Sequence, residues 1–327
     1  MKRLFLILGL AMLVVSCGGE KAQTSSTTTE APKRHGWDGF ELYGDVAQVV
    51  ETYWQAADKF GEVVKDKLDD KRVWSFDERG NVVSHTDYDS NGKLANKGIY
   101  KYDNEGRCVD YSKYGSDGKL WLKTIFRYDD KGNCIEEAWY DADGRPSFAP
   151  IPLARKSKTV RKFNDNGKCI EEAEYDADGR LWRVHKYNDN GKHIEYVDYN
   201  SDGKVERKCV HKYDSKGNYK GRVDYNSDGK VEGKIIRKYN DNGNPIEDVY
   251  YNSDGKVERK WTYIHGADGK YAGQVVERVD DAENIKKEYC VQFKRDSHGN
   301  VTERRDYEYK GEIVVPESIV EYEITYR

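Results

Sequence analysis

The sequence predicts an all-β protein, built as a long antiparallel meander of repeated hairpins in a coiled or curled sheet. Three observations lead to this fold class. The chain combines 26 Tyr and 30 Gly with only 2 Met, a mixture that favours strands and turns over helices. Glycines recur at intervals of mostly 12 or 14 residues, and the segments between them alternate polar and apolar residues. With 37% hydrophobic and 35% charged residues, the composition argues against a single deep core.

Residues 1–16 have the pattern of a signal peptide. Lys2 and Arg3 precede an apolar run that is too short to span a membrane as a helix. Residues 14–17 (Val-Val-Ser-Cys) then resemble a bacterial lipobox, and this resemblance implies cleavage before Cys17 and lipidation of its thiol. The alternative is an ordinary signal peptide in which Cys17 has no special role. Gly18 after this cysteine resembles the signal for sorting to the outer membrane.

Two segments precede the repeats. Residues 17–36 have the Ser/Thr/Pro composition of a flexible tether. Residues 37–72 form either a hairpin or a helix, because the apolar residues within 45–67 also fit a helical stripe. The segment Ala-Asp-Lys-Phe-Gly-Glu-Val-Val at 57–64 copies the turn pattern at 129–135, which favours a first hairpin that turns at Gly61.

Residues 73–327 are predicted to form the β-hairpin repeat domain. The spacing of Gly106, Gly118 and Gly132 by 12 and 14 residues defines a 26-residue repeat. In units such as Tyr140–Gly144 (Tyr-Asp-Ala-Asp-Gly), the first Asp caps a tight turn and the Gly supplies a positive φ. Nearest-neighbour assembly of such units predicts roughly 16 to 20 strands.

These Tyr-Asp-x-x-Gly units resemble the YD repeats of the RHS family and, more loosely, MORN-type hairpin repeats. The resemblance covers about residues 73–311. It implies a coiled β-sheet shell, and only this architecture is carried over to the chain.

The turn tyrosines are predicted to share one face of the sheet. A three-residue hairpin loop with a bulge at its Gly places Tyr128 opposite Cys134 and Tyr114 opposite Leu120. Since the intervals of 12 and 14 are even, each later turn Tyr then falls on the same face. We expect this Tyr-rich face to point inward, because an apolar face must be covered.

An aromatic patch is predicted on the opposite face, beside a Pro-rich insertion near residues 145–159. Long insertions of this kind often carry function. The predicted ligand-binding residues are Trp121, Trp139, Trp182, Tyr111 and Phe148. The alternative is that these side chains pack across strands and only stiffen the sheet.

No motif in the sequence predicts catalysis, a cofactor or a metal site. Cys108, Cys134 and Cys169 lie two strands apart, roughly 10 Å, and are expected to be free, inward-facing thiols. Segments such as Asp198–Gly203 open like a calcium loop, but the twelfth position, here Cys209, cannot supply the closing carboxylate. Turn capping explains their Asp and Asn residues.

Charge and leader together predict a cellular role. The 55 basic and 59 acidic residues leave no excess positive charge for binding nucleic acid. We expect a cell-envelope protein, anchored by lipid at Cys17 to the outer membrane and facing the periplasm or the surface. It would act as a non-enzymatic binding or scaffold module for a protein or a glycan. Two alternatives stay open, an envelope enzyme acting on carbohydrate and an immunity-like or toxin-associated repeat protein.

Overall fold

A computed structural model of the chain describes residues 40, 42–148, 156–266, 271–279 and 285–327. Cys17, the tether and residues 149–155 of the insertion therefore lie outside the described residues. The described part is all-β and contains no helix long and apolar enough to cross a membrane. The strands are β1 (Val46–Lys59), β2 (Glu62–Phe76), β3 (Val82–Tyr88), β4 (Leu94–Tyr102), β5 (Cys108–Gly115), β6 (Leu120–Tyr128), β7 (Cys134–Asp141), β8 (Lys158–Phe163), β9 (Cys169–Tyr175), β10 (Leu181–Tyr187), β11 (His193–Tyr199), β12 (Val205–Tyr213), β13 (Tyr219–Asn226), β14 (Val231–Tyr239), β15 (Pro245–Asn252), β16 (Val257–His265), β17 (Tyr271–Val279), β18 (Ile285–Arg295), β19 (Val301–Lys310) and β20 (Ile313–Tyr326).

The strands form one sheet in chain order, and the sheet closes on itself. Each strand pairs antiparallel with the next, as the meander prediction requires. The last strand then pairs with the first, with Val49 opposite Ile324 and Tyr53 opposite Val320. Closure satisfies the backbone groups that a free sheet edge would expose.

Residues 45–67 form strands. The long strands β1 and β2 pair with each other and turn at Phe60 and Gly61, which both have positive φ. The Asp58 carboxylate accepts a hydrogen bond from the Gly61 amide, which stabilises this turn. The β pairing therefore prevails over the helical stripe, because β1 gains a neighbour on both sides.

The hairpin turns follow the predicted chemistry. In the turn after β4, the Gly106 amide donates to the Asp103 carbonyl at 3.0 Å, and Gly106 has a φ of 80°. The Asp103 carboxylate accepts from the Arg107 amide at 2.8 Å and so caps the turn. In the calcium-like segment, the Asn200 side chain likewise accepts from the Asp202 and Lys204 amides.

Besides the bulge at the turn Gly, the strand that follows each turn contains a second bulge, which changes which residues share a face. Tyr128 lies opposite Cys134, as predicted, but the next pair is Arg127 with Glu136, so Ile135 is an extra residue. One added residue moves every later side chain to the other face of the strand. The prediction that all turn tyrosines share one face is therefore wrong: Tyr128 and Tyr114 lie on opposite faces.

One face of the closed sheet, here called the inner face, carries most of the fully buried side chains of the repeats. Residues that lie directly opposite one another in neighbouring strands share a face. Five inner-face residues of the repeats are at most 2% exposed: Thr124, Thr159, Cys169, Cys209 and Asp224. On the outer face, Lys186 and Lys208 both reach the Glu195 carboxylate, at 3.1 and 2.5 Å. The predicted Tyr-rich inner surface is present, although only alternate turn tyrosines belong to it.

Four inner-face turn tyrosines join neighbouring strands through their hydroxyl groups. The Tyr128 hydroxyl donates to the Cys108 carbonyl, 20 residues earlier in the chain, at 2.6 Å. The same bond recurs from Tyr102 to Val82, from Tyr213 to His193 and from Tyr239 to Tyr219. In these four repeats, the hydroxyl of a turn tyrosine thus reaches a backbone acceptor on the preceding strand.

The cysteines are buried and free in the described residues, as expected from their spacing. Cys108 and Cys134 pack with Phe126 in a single small cluster on the inner face. Burial raises the pKa of Cys108 to about 12 and that of Cys134 to about 11, which keeps both thiols protonated. They therefore serve as small apolar side chains.

Candidate functional site

Two residues of the predicted outer patch lie on the inner face instead. Tyr111 and Trp139 both pair with Thr124, one from each side of β6. Trp139 is only 5% exposed and packs with Leu122 and Tyr111. Their predicted outer position is wrong, because the second bulge shifts each strand by one residue after its turn. Both side chains pack across strands, as the alternative interpretation describes.

Trp121 and Trp182 occupy the same position in different repeats. Each is the extra residue of a bulge: Trp121 falls between Leu120 and Leu122, which pair with successive residues of β5. Trp182 has the equivalent place between β9 and β10. Their surroundings differ, since Trp121 is 59% exposed whereas Trp182 is half-buried, with the Arg183 guanidinium 4.4 Å from its ring centre.

The first residues of the insertion position Phe148 near Trp121. Pro146 bridges to Tyr140, and the Ser147 amide donates to the Trp139 carbonyl at 2.9 Å, so this stretch is held against β7. Phe148 follows directly and is 52% exposed. Two exposed aromatic rings thus lie beside the longest insertion of the chain.

These rings line an open groove of about 250 Å³. Its lining residues are Leu120, Trp121, Leu122, Asp141, Ala142, Asp143, Ser147 and Phe148. The Lys113 ammonium lies 5.1 Å from the centre of the Trp121 ring, a cation–π contact. The groove therefore combines apolar stacking surfaces with polar groups.

The two carboxylates of this groove have structural tasks. Asp141 accepts from the amides of Asp143 and Arg145, both at 2.9 Å, and so caps the turn after β7. Asp143 pairs with the Arg145 guanidinium at 3.4 Å. Asp141 thus shapes the hairpin, whereas the Asp143 carboxylate forms a solvent-exposed ion pair.

A second hollow, of about 340 Å³, is bordered by Pro146 and Ser157. Its other lining residues come from β7, β8, β9 and the turn after β9. The lining residues are Ala138, Trp139, Tyr140, Pro146, Ser157, Lys158, Val160, Tyr175, Asp176, Ala177 and Gly179. Described residues of the insertion therefore border both hollows.

A separate cluster of charged and ring side chains occupies the inner face from β7 to β12. Arg161 lies between Glu137 and Glu172, at 3.2 and 2.6 Å, and is only 7% exposed. Burial favours a higher pKa for Glu172, but the charge of Arg161 outweighs it and holds the pKa below its usual value. Lys156 pairs with Glu174 at 3.1 Å.

Three histidines continue this cluster. His185 Nδ1 lies 3.0 Å from His193 Nε2, and the His193 and His211 ring centres are 4.5 Å apart. His211 Nε2 lies 3.6 Å from the Cys209 sulfur. Burial lowers the pKa of each histidine to about 4, so all three imidazoles are neutral at physiological pH.

Sequence reasoning missed this histidine cluster. It placed His185 and His211 in one repeat column, but His193 stands outside that column in the sequence. The turn at Gly191 makes Tyr187 the partner of His193, and His193 then lies diagonally beside His185. The only available signal was that these two histidines flank one turn, eight residues apart.

Comparisons with known proteins show similarity to solved structures alone. No family model matches the chain, and no curated protein matches its sequence. A TcdB2-TccC3 structure without its hypervariable C-terminal region is 12% identical over 80% of this chain, with a TM-score of 0.29. The chain spans only 15% of that TcdB2-TccC3 chain.

Porin-like proteins are also among the similar structures. One from Bacteroides uniformis is 11% identical, with 86% of this chain and 96% of that chain covered and a TM-score of 0.33. One from Bacteroides vulgatus is 10% identical, with 86% and 98% covered and a TM-score of 0.30.

Proposed function

We propose that the chain is a non-enzymatic binding module of the cell envelope, and that the groove between Trp121 and Phe148 is its contact surface. The carrying observation is that two aromatic rings, each more than half exposed, line one groove beside the insertion. Exposed aromatic rings that converge on a concave surface are characteristic of recognition sites.

The ligand that fits this groove best is a glycan. A sugar ring offers an apolar face that stacks on an aromatic side chain, and hydroxyl groups that bond to carboxylates and hydroxyls. The groove supplies both, with the Trp121 ring on one side and Asp143 and Ser147 at its edge. The open, shallow shape of the groove suits an oligosaccharide better than a small molecule that must be enclosed. A protein partner is the other ligand class, and the experiment below distinguishes the two.

Binding without catalysis is supported by the state of the groove carboxylates. Asp141 caps a turn and Asp143 pairs with Arg145, so a hydrolytic pair would have to abandon both tasks. Attachment to the envelope is supported by the apolar leader and the Val-Val-Ser-Cys sequence that ends at Cys17.

The test uses Trp121 and Trp182 as a matched pair, since both are bulge residues at the same position of their repeats. The full chain is titrated with soluble oligosaccharides of glucose, mannose and N-acetylglucosamine, and binding is followed by calorimetry. We expect saturable binding to at least one of them, weakened at least about tenfold by Trp121→Ala and by Phe148→Ala. Trp182→Ala is expected to bind as the unsubstituted chain does.

Two results would overturn the glycan proposal. One is that no oligosaccharide binds while a protein from the envelope fraction is retained in a Trp121-dependent manner, which would identify a protein partner. The other is that Trp182→Ala reduces binding as strongly as Trp121→Ala, which would place the contact elsewhere. Circular dichroism of each variant checks that the sheet still forms.

A further inference from the structure

Two carboxylates and one imidazole converge on the inner face, away from the groove. Glu172 and Glu174 are two residues apart on β9, so they share a face. His185 on β10 lies directly opposite Glu172. One potential ligand atom from each of the three side chains lies within 4.8 Å of the others.

Each carboxylate uses one oxygen for a cation and keeps the other. Glu172 Oε2 accepts from Arg161 Nε at 2.6 Å, and Glu174 Oε1 lies 3.1 Å from the Lys156 ammonium. Among the described residues, no hydrogen bond is made by Glu172 Oε1 or Glu174 Oε2. An oxygen of each group therefore remains for another ligand, while the paired oxygens hold the side chains in place.

The imidazole of His185 is oriented by its neighbour. Its Nδ1 lies 3.0 Å from His193 Nε2. In the tautomer that carries the proton on Nδ1, His185 donates to His193 and the lone pair stays on Nε2. A histidine that binds a metal typically donates its second ring nitrogen in this way. Nε2 is consequently the atom of His185 left for coordination.

The local charge also favours a cation. Glu137, Glu172, Glu174 and Asp198 supply four acidic groups, against the three basic groups of Arg161, Lys156 and Arg183. Glu174 and Glu137 are 5% and 8% exposed, which makes an unbalanced negative charge costly. A bound cation would offset it.

We propose that Glu172, Glu174 and His185 bind a divalent transition metal ion. A mixed set of carboxylate oxygens and one imidazole nitrogen suits zinc or a neighbouring first-row metal rather than magnesium or calcium. Three protein ligands leave a coordination position for water or an exogenous ligand. This site is independent of the glycan groove, because the two share no residue.

The test is a zinc titration of the chelator-treated full chain by calorimetry, followed by cobalt substitution and its visible absorption spectrum. We expect one zinc ion per chain, and a cobalt spectrum typical of nitrogen and oxygen ligands. Glu172→Gln and His185→Gln should each weaken zinc binding at least about tenfold. His193→Gln should weaken binding and alter the cobalt spectrum, because it removes the partner that orients His185.

Glu171→Gln is the matched control. Glu171 is adjacent to Glu172 on β9, but it lies on the outer face and pairs with Lys162. Its substitution should leave zinc binding unchanged. If Glu172→Gln fails to fold, Glu174→Gln replaces it as the carboxylate test.

Three results would overturn the proposal. The first is that the chain binds no stoichiometric zinc. The second is that His185→Gln and both Glu variants bind zinc as the unsubstituted chain does. The third is that zinc binding is lost only in His211→Gln and Cys209→Ser. The last result would place the metal at the Cys209 end of the histidine cluster.

Discussion

His85 stacks on Tyr111 across the intervening strand, with ring centres 5.9 Å apart and ring planes 20° from parallel. The two residues belong to β3 and β5, and Gly98 of β4 lies between them. Trp74 extends the stack on one side, since its ring centre is 4.9 Å from that of His85. The stack is possible because Gly98 has no side chain to fill the space between the rings.

Substitution of Gly98 by alanine should therefore disrupt this stack. A Cβ at residue 98 would overlap the His85 ring and lie 2.7 Å from the Tyr111 ring. We expect Gly98→Ala to lower the free energy of unfolding by about 1 to 3 kcal/mol. Gly115→Ala is the control, because its Cβ would approach only the flexible tip of Asp117, at 3.1 Å. Urea unfolding of both variants measures the difference, and equal losses would contradict the proposed overlap.

The Tyr128 hydroxyl, which joins β6 to β5, should contribute a measurable free energy to stability. Tyr128→Phe removes the donor to the Cys108 carbonyl and leaves that acceptor unpaired, at a cost of about 1 to 3 kcal/mol. Tyr114→Phe is the matched control: it is also a turn tyrosine, but it lies on the outer face. Its cost should stay within about 0.5 kcal/mol. Thermal and urea unfolding compare the two, and a larger loss for Tyr114→Phe would refute the assignment.

The free energy of unfolding should decrease as the pH is lowered from about 6.5 towards 4, because the buried histidines resist protonation. Burial lowers the pKa of His85 to about 4, against an ordinary value of 6.5, while Asp87, Arg72 and Lys113 face the ring. Because the unfolded chain binds the proton more readily, the contribution is complete above pH 6.5 and is lost as the pH falls towards 4. For His85 alone the loss between pH 7 and pH 5 is on the order of 1 to 2 kcal/mol.

The comparison of His85→Asn with the unsubstituted chain isolates this contribution. Unfolding free energies are measured in urea at several values between pH 7 and pH 5. The variant is expected to be less stable at pH 7 but to show a shallower decline on acidification. An identical slope for both chains would show that His85 does not titrate in this window.

Membrane attachment should depend on a single thiol. If Cys17 is lipidated, Cys17→Ala removes the acyl anchor without changing any described residue. Fractionation of cells should then find the unsubstituted chain with membranes and the variant in the soluble envelope fraction. Metabolic labelling with a fatty-acid analogue gives an independent readout, and labelling of Cys17→Ala would exclude this residue as the attachment site.

Repeat spacing, turn chemistry and the strand class of residues 45–67 were all accessible from the sequence. They depend on local signals: a Gly that needs a positive φ, an Asp that caps the turn before it, and alternation along each strand. The pairing of Tyr128 with Cys134 followed from the loop length alone. The burial of Cys108 and Cys134 followed from their common position after a turn.

The face on which each aromatic residue lies was decided only by the tertiary structure. An extra residue such as Ile135 costs little in the strand that contains it, and no local pattern announces it, yet it reverses the orientation of everything that follows. This is why Trp139 is buried against Tyr111 while Trp121 faces solvent. The bulge at Trp182 likewise places His185 opposite Glu172, a pairing set by strand register rather than by spacing along the chain.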